Sequence, residues 1–188
     1  TNLYILALGE TGGGKEGIRK SVKDVLAAAQ KKDHTINFAS PQALYRALAA
    51  RRCALWMPDE FGRYLAAAAK PNGGQDFMVN TAVMKLFGLA LSSTKAVKYA
   101  KKTDNIEAVE RPYLSVLATS TGGNVRDALT SEAVVDGTLN RFLLLEQVGL
   151  PPFLDRKPLG MTDALTKALE PFRPMGLLND GVASLDAN

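Results

Sequence analysis

The stretch Ile5-Leu6-Ala7-Leu8-Gly9-Glu10-Thr11-Gly12-Gly13-Gly14-Lys15-Glu16 sets four glycines and a lysine directly behind an apolar run. The pattern G-x-x-x-x-G-K suits phosphate binding. Successive backbone N–H groups must turn into one concavity, through angles that glycine adopts cheaply. A helix beginning near the lysine adds the partial positive charge of its N-terminus. In such a site Gly9, Glu10, Thr11, Gly12, Gly13 and Gly14 form the cradle and Lys15 bridges the β- and γ-phosphates. The next position departs from the pattern. A hydroxyl residue ordinarily follows the lysine and coordinates magnesium, whereas this chain carries Glu16. A glutamate can ligate the metal itself, or it can point away and simply favour the helix start. The sequence leaves both open, and a glycine-rich turn in another α/β fold is the alternative to a nucleotide site.

Cys53-Ala54-Leu55-Trp56-Met57-Pro58-Asp59-Glu60 is a second apolar run, ending in two carboxylates. Beside a phosphate loop, Asp59 would hold magnesium through water and Glu60 would polarise the water that attacks the γ-phosphate. Pro58 has no N–H to give a sheet and belongs at a strand end. A third apolar run, Tyr113 to Ala118, leads into Thr119-Ser120-Thr121. Thr119, with Ser120 beside it, is the candidate for sensing the γ-phosphate; the alternative is that these hydroxyls only serve a turn and a helix cap. Arg141, in Asp136-Gly137-Thr138-Leu139-Asn140-Arg141-Phe142, can reach a neighbouring subunit's nucleotide as an arginine finger, or act as an ordinary ion-pair partner. Lys95, Lys98, Lys101 and Lys102, with Tyr99 among them, can neutralise nucleic-acid phosphates and stack on a base. A solvated surface loop accounts for them equally well.

The elements that must position these residues follow from periodicity. Asn2 to Leu8 predicts a buried strand stopped by Gly9. Ile18, Val22, Val25, Leu26 and Ala29 recur at helical spacing, with Arg19, Lys20, Lys23 and Asp24 on the other face. Thr35 to Ala39 predicts a short strand. Ser40-Pro41 opens a helix striped by Leu44, Leu48 and Ala49 and closed at Arg51-Arg52. The strand Cys53 to Met57 follows, then a helix from Phe61 to Lys70, a turn over 71–76, and a helix from Phe77 to Leu91. Residues 92–112 are polar without a period. After the strand Tyr113 to Ala118 come a short helix around Asn124 to Leu129, a fourth strand at the end of the stretch 134–148, a helix from Met161 to Leu169, and a tail. Strands alternating with helices predict an α/β fold with a mainly parallel central sheet. Residues 1–150 form the core and 151–188 an extension of the same domain.

At 188 residues, with 46% hydrophobic and 22% charged residues, the chain can bury a substantial core. No apolar run approaches the roughly 18 residues that span a bilayer, and no signal peptide is visible, although a chain starting at Thr1 reads as an excised piece. One cysteine, Cys53, excludes an internal disulfide and predicts a cytoplasmic setting. With one histidine, His34, the chain has too few Cys and His for a structural zinc site. The net charge of +4 and pI of about 9.2 are compatible with nucleic acid without requiring it.

With these residues in place, the chain resembles the ATPase domain of phage and prophage replication proteins, helicase-like P-loop ATPases that often stand beside a primase domain. The resemblance rests on ALGETGGGKE, on SPQALYRAL followed by ALWMPDEFGRYL, on RPYLSVLATST and on VVDGTLNRFLLLE. It covers about residues 2 to 148. It implies a P-loop NTPase fold of the RecA- or AAA+-like three-layer kind, with ATP and Mg2+ as cofactors. It further implies hydrolysis coupled to unwinding or loading of DNA, single-stranded at the point of contact, by a homo-oligomeric ring. Two other functions stay open: a degenerate P-loop module acting in assembly or docking, favoured by Glu16 and Pro58, and a nucleotide kinase, which lacks an arginine-rich lid here.

Overall fold

The computed structural model describes residues 2–28, 34–69, 74–129, 137–149 and 162–170. Its elements in chain order are β1 (Tyr4–Leu8), α1 (Lys15–Ala28), β2 (Thr35–Ile36), α2 (Pro41–Ala50), β3 (Cys53–Trp56), α3 (Phe61–Ala68), α4 (Gly74–Phe87), β4 (Tyr113–Ser120), α5 (Gly122–Leu129), β5 (Leu143–Glu146) and α6 (Asp163–Leu169). The strands form one five-stranded sheet in the order β2-β3-β4-β1-β5. Every pairing is parallel, with Tyr4 opposite Val116 and Leu8 opposite Ser120, and Ile5 opposite Leu143 on the other side. The protein is therefore α/β, with an all-parallel central sheet flanked by helices.

That strand order sorts the helices. From β1 the chain crosses to β2 in one direction along the sheet, and every later crossover runs the other way. Since such crossovers are right-handed, α1 goes to one face and α2 to α5 to the opposite face. The side chains agree. Tyr4, Leu6, Leu114, Val116 and Ala118 point into the main core with Leu44, Leu48, Phe61, Leu65, Val83 and Leu86. Leu3, Ile5, Leu117 and Leu145 instead line a groove with Ile18 and Val22 of α1. No residue of α1 is fully buried, so the first helix lies on its face alone, and Leu143 and Leu145 of the edge strand stay half exposed.

The local signals act as the sequence predicts, with shifted ends. Ser40 caps α2, its Oγ accepting from the Ala43 N–H at 3.1 Å, and Pro41 sits in the first turn. Thr162 caps α6 in the same way through the Leu165 N–H. The strand predicted over 35–39 shortens to Thr35–Ile36, and the helix predicted from Phe77 starts at Gly74 and stops at Phe87. Residues 92–112 have more order than their composition suggests. They form an antiparallel excursion with bridges at Ser93–Glu110 and Val97–Ile106, anchored by the buried side chains of Thr94, Ile106 and Val109. Lys70, residues 71–73 and most of the predicted 151–188 extension lie outside the described residues. Among the described residues, no helix is long and apolar enough to cross a membrane.

A close helix–helix contact lies under the site. Gly62 of α3 is buried, and a Cβ built there would fall 2.6 Å from the backbone carbon of Asn124 in α5. Backbone cannot swing aside as a side chain does. Gly62→Ala is therefore expected to cost about 3 kcal/mol, the upper range for overpacking. For a domain of this size that lowers the melting temperature by about 6–12 °C. Thermal unfolding followed by circular dichroism checks it, and a parent-like transition would mean that α3 and α5 do not meet at this point.

Candidate functional site

In a parallel sheet all strands end at one edge, and there the chemistry-bearing loops gather. The glycine loop leaves β1, Asp59 and Glu60 follow β3, and Thr119 and Ser120 end β4. Because β1 lies beside β4 and β4 beside β3, the three groups are neighbours.

The glycine loop is folded by its own backbone. Gly9 N–H donates to Ser120 O at 3.1 Å, Gly13 N–H to Glu10 O at 2.9 Å and Gly17 N–H to Gly14 O at 2.9 Å. Gly12 and Gly14 take φ of 81° and 79°, the left-handed region that side chains disfavour. Lys15 opens α1 and curls back across the loop, its Nζ donating to Gly9 O at 3.4 Å. Glu10, Thr11, Gly12 and Gly14 are exposed at the surface of the cradle.

The acid pair is held from several sides. Pro58 lies just past β3, and its carbonyl accepts the Thr119 N–H at 3.0 Å. A proline fits there because the position needs only an acceptor. Asp59 Oδ1 accepts the Thr119 hydroxyl at 2.8 Å and the Glu60 N–H at 2.9 Å. Its Oδ2 faces the Arg19 guanidinium at 3.2 Å. Burial pushes the Asp59 carboxyl up, but the Thr119 and Glu60 hydrogen bonds and the charges of Arg19 and Lys15 outweigh it and hold the pKa below the usual carboxylate value. The ionised form, and the contacts it makes, therefore persist until the pH falls through that depressed value.

Glu60 has φ 48° and ψ 41°, left-handed for a non-glycine residue, a conformation that costs of order 1–3 kcal/mol and collects at functional positions. Its Oε2 accepts from Asn124 Nδ2 at 2.8 Å, with Arg63 3.8 Å away. The three hydroxyls at the end of β4 and just past it divide their work. Thr119 is fully buried and spends its proton on Asp59. Ser120 Oγ accepts the Gly62 N–H at 3.0 Å. Thr121 alone does the capping, accepting the Asn124 N–H at 3.3 Å.

The remaining candidates lie elsewhere. Arg141 precedes β5 and so sits at the opposite edge of the sheet from the glycine loop. Its Nη1 donates to Gly137 O at 2.7 Å. Lys95, Lys98, Tyr99 and Lys101 belong to the antiparallel excursion that enters β4 from that same edge. Lys95 and Lys101 are exposed, Lys98 pairs with Glu107 at 2.9 Å, and the Tyr99 N–H donates to Asn105 Oδ1 at 2.7 Å. Lys102 begins a 3-10 turn to Asp104; its side chain lies outside the described residues.

Three residues enter the site unannounced by the sequence reading. Arg19 lies between the carboxylates of Glu16, at 3.5 Å, and Asp59, at 3.2 Å. Asn124 holds Glu60. Gln147, just past β5, sets its Oε1 against the glycine loop, within 3.3 Å of where a Cβ on Gly9 or Gly13 would be. Arg19 follows Lys15 by four residues and shares its helix face, but that spacing alone does not set it apart from any solvated charge.

Among the described residues, no group of three or more His, Cys, Asp or Glu converges as a metal cage. Magnesium sites in nucleotide-binding proteins use one or two carboxylates together with substrate phosphates and water. Asp59, with both oxygens already engaged, fits a hold through water. Glu16 is 78% exposed and turned to Arg19. Compared with known protein families, with curated proteins and with solved structures, the chain finds no match.

Proposed function

We propose that this chain is a P-loop NTPase domain that binds ATP with magnesium at the glycine loop and hydrolyses it, as the motor of a helicase-like DNA replication protein. The observation that carries the reading is the meeting of three separate segments at one sheet edge: the Lys15 loop, the Asp59-Glu60 pair and Thr119, with Thr119 bonded to Asp59 at 2.8 Å. Glycine loops are common; one whose neighbouring strands supply an acid pair and a buried hydroxyl is not easily explained as a turn. In this reading the loop N–H groups and Lys15 bind the β- and γ-phosphates. Glu60 takes the proton of the attacking water, and Thr119 fixes Asp59. A magnesium ion bound with the triphosphate neutralises charge on the phosphate oxygens.

The DNA assignment rests on the sequence resemblance and on the exposed Lys95 and Lys101, and partners in a homo-oligomeric ring or with a primase domain belong to the same proposal. Phosphate release measured with and without single-stranded DNA tests it. The expected result is basal turnover that DNA stimulates. Turnover indifferent to DNA would remove the helicase part, and no turnover would favour the second reading. That reading, a degenerate module that docks rather than hydrolyses, draws on one feature: the Arg19 guanidinium lies 3.2 Å from Asp59 Oδ2.

Arg141 bears on the ring. From the far edge of the sheet it cannot serve its own glycine loop, so a catalytic Arg141 must act on a neighbour. Parent ATPase activity per molecule is then expected to rise with protein concentration, and Arg141→Ala to bind ATP yet lose that rise. Mixing Arg141→Ala with Glu60→Gln before assembly should restore part of it, because one interface can pair an intact base with an intact arginine. Full, concentration-dependent activity in Arg141→Ala would rule out the finger.

A further inference from the structure

Arg19 is the least exposed member of the charged trio at the site, 26% against 49% for Asp59 and 78% for Glu16. One nitrogen, Nη1, faces both acids, at 3.2 Å from Asp59 Oδ2 and 3.5 Å from Glu16 Oε2. The other Asp59 oxygen is filled by the Thr119 hydroxyl and the Glu60 N–H. The group that faces the remaining, half-exposed oxygen of Asp59 is a cation. Oδ2 is thus the oxygen left for a hydrated divalent ion, which there meets the charge of the Arg19 guanidinium 3.2 Å away.

Glu16 acquires a role from the same geometry. It stands three residues before Arg19, the spacing at which helix side chains meet, in the place where a hydroxyl would ordinarily take the metal. It offers the guanidinium a second partner. Displaced from Asp59, Arg19 stays tethered on α1, one turn beyond Lys15 and on its face, where its charge adds to that of the lysine.

We infer that Arg19 is a built-in counter-ion of the acid pair, positioned by Glu16, which occupies Asp59 until a metal–triphosphate displaces it toward the phosphates. This rests on the nucleotide-site reading of the loop and adds to it a charge switch: the carboxylate is closed to free divalent cations and opens when metal arrives with nucleotide. A cation 3–4 Å from a carboxylate oxygen competes for its charge and repels an incoming divalent ion. Removing the guanidinium should therefore raise the affinity of a lone divalent ion by about tenfold or more.

The test uses Mn2+ as the probe and no nucleotide. Free Mn2+ is followed by electron paramagnetic resonance while the 188-residue protein is titrated, with circular dichroism to establish that each variant is folded. Arg19→Gln is expected to bind Mn2+ at least about tenfold more tightly than the parent. Arg19→Lys, which keeps the charge, should stay near the parent, and adding Asp59→Asn to Arg19→Gln should abolish the gain. Equal Mn2+ affinity in parent and Arg19→Gln overturns the proposal, as does Arg19→Lys behaving like Arg19→Gln. The nucleotide-site reading is separately controlled by calorimetric titration of ATP into Lys15→Ala, which should lose ATP affinity whatever the outcome of the Mn2+ titrations.

Discussion

Glu60→Gln is expected to bind ATP like the parent and to hydrolyse it about 100-fold more slowly or worse, the scale on which a positioned general base contributes. The substitution is nearly isosteric. Glutamine keeps an oxygen for the Asn124 amide, 2.8 Å from Oε2 in the parent, and asks nothing new of the left-handed backbone at this position. Folding should therefore be unaffected, and only the proton acceptor is lost. Single-turnover hydrolysis separates the chemical step from binding. Undiminished hydrolysis would place the base at another residue and would leave the strained backbone of Glu60 without a catalytic explanation.

Lys15→Ala has the other large effect. Lys15 contributes little to the fold, since its hydrogen bond is a long one of 3.4 Å across its own loop. What it offers is a charge across the glycine loop. Hydrogen bonds to charged groups are worth about 1.5–3 kcal/mol, so ATP affinity should fall by roughly 10- to 100-fold, and turnover should vanish with it. Calorimetric titration reads the affinity directly. Unchanged affinity would mean that nucleotide, if bound, sits elsewhere.

Most of the architecture was legible because the punctuation is strong. Gly9, Pro58 and the Ser40-Pro41 cap stop or start elements for local reasons, and apolar runs between helices point to a parallel sheet. What failed to show was decided by distant partners. The strand before Thr119 runs on to Ser120 because the two hydroxyls are used up by Asp59 and the Gly62 N–H, and a window over the sequence sees only a polar turn. Residues 92–112 lack a period because few positions carry their pairing: two isolated bridges and the buried side chains of Thr94, Ile106, Val109 and Pro112. The order β2-β3-β4-β1-β5 depends on pairings between remote segments that no local pattern encodes.

The candidate site divides in the same way. Its loop, acid pair and hydroxyl could be named from residue type and position at strand ends. Arg19 could not, since a basic residue on the polar face of a helix looks like any solvated charge. Asn124 and Gln147 reach the site only through the packing of α5 and the end of β5. Glu16 looked like a defect in the metal site while read alone; beside Arg19 it has a charge partner 3.5 Å away.

The most direct measurement of the central claim is a crystal soaked with a nonhydrolysable ATP analogue and magnesium. The account predicts triphosphate density in the cradle of Gly9 to Lys15, with the Lys15 ammonium on the β- and γ-phosphates, Arg19 moved off Asp59, and Glu60 facing the terminal phosphate. Analogue bound away from the glycine loop, or a loop that stays vacant at saturating analogue, would contradict it.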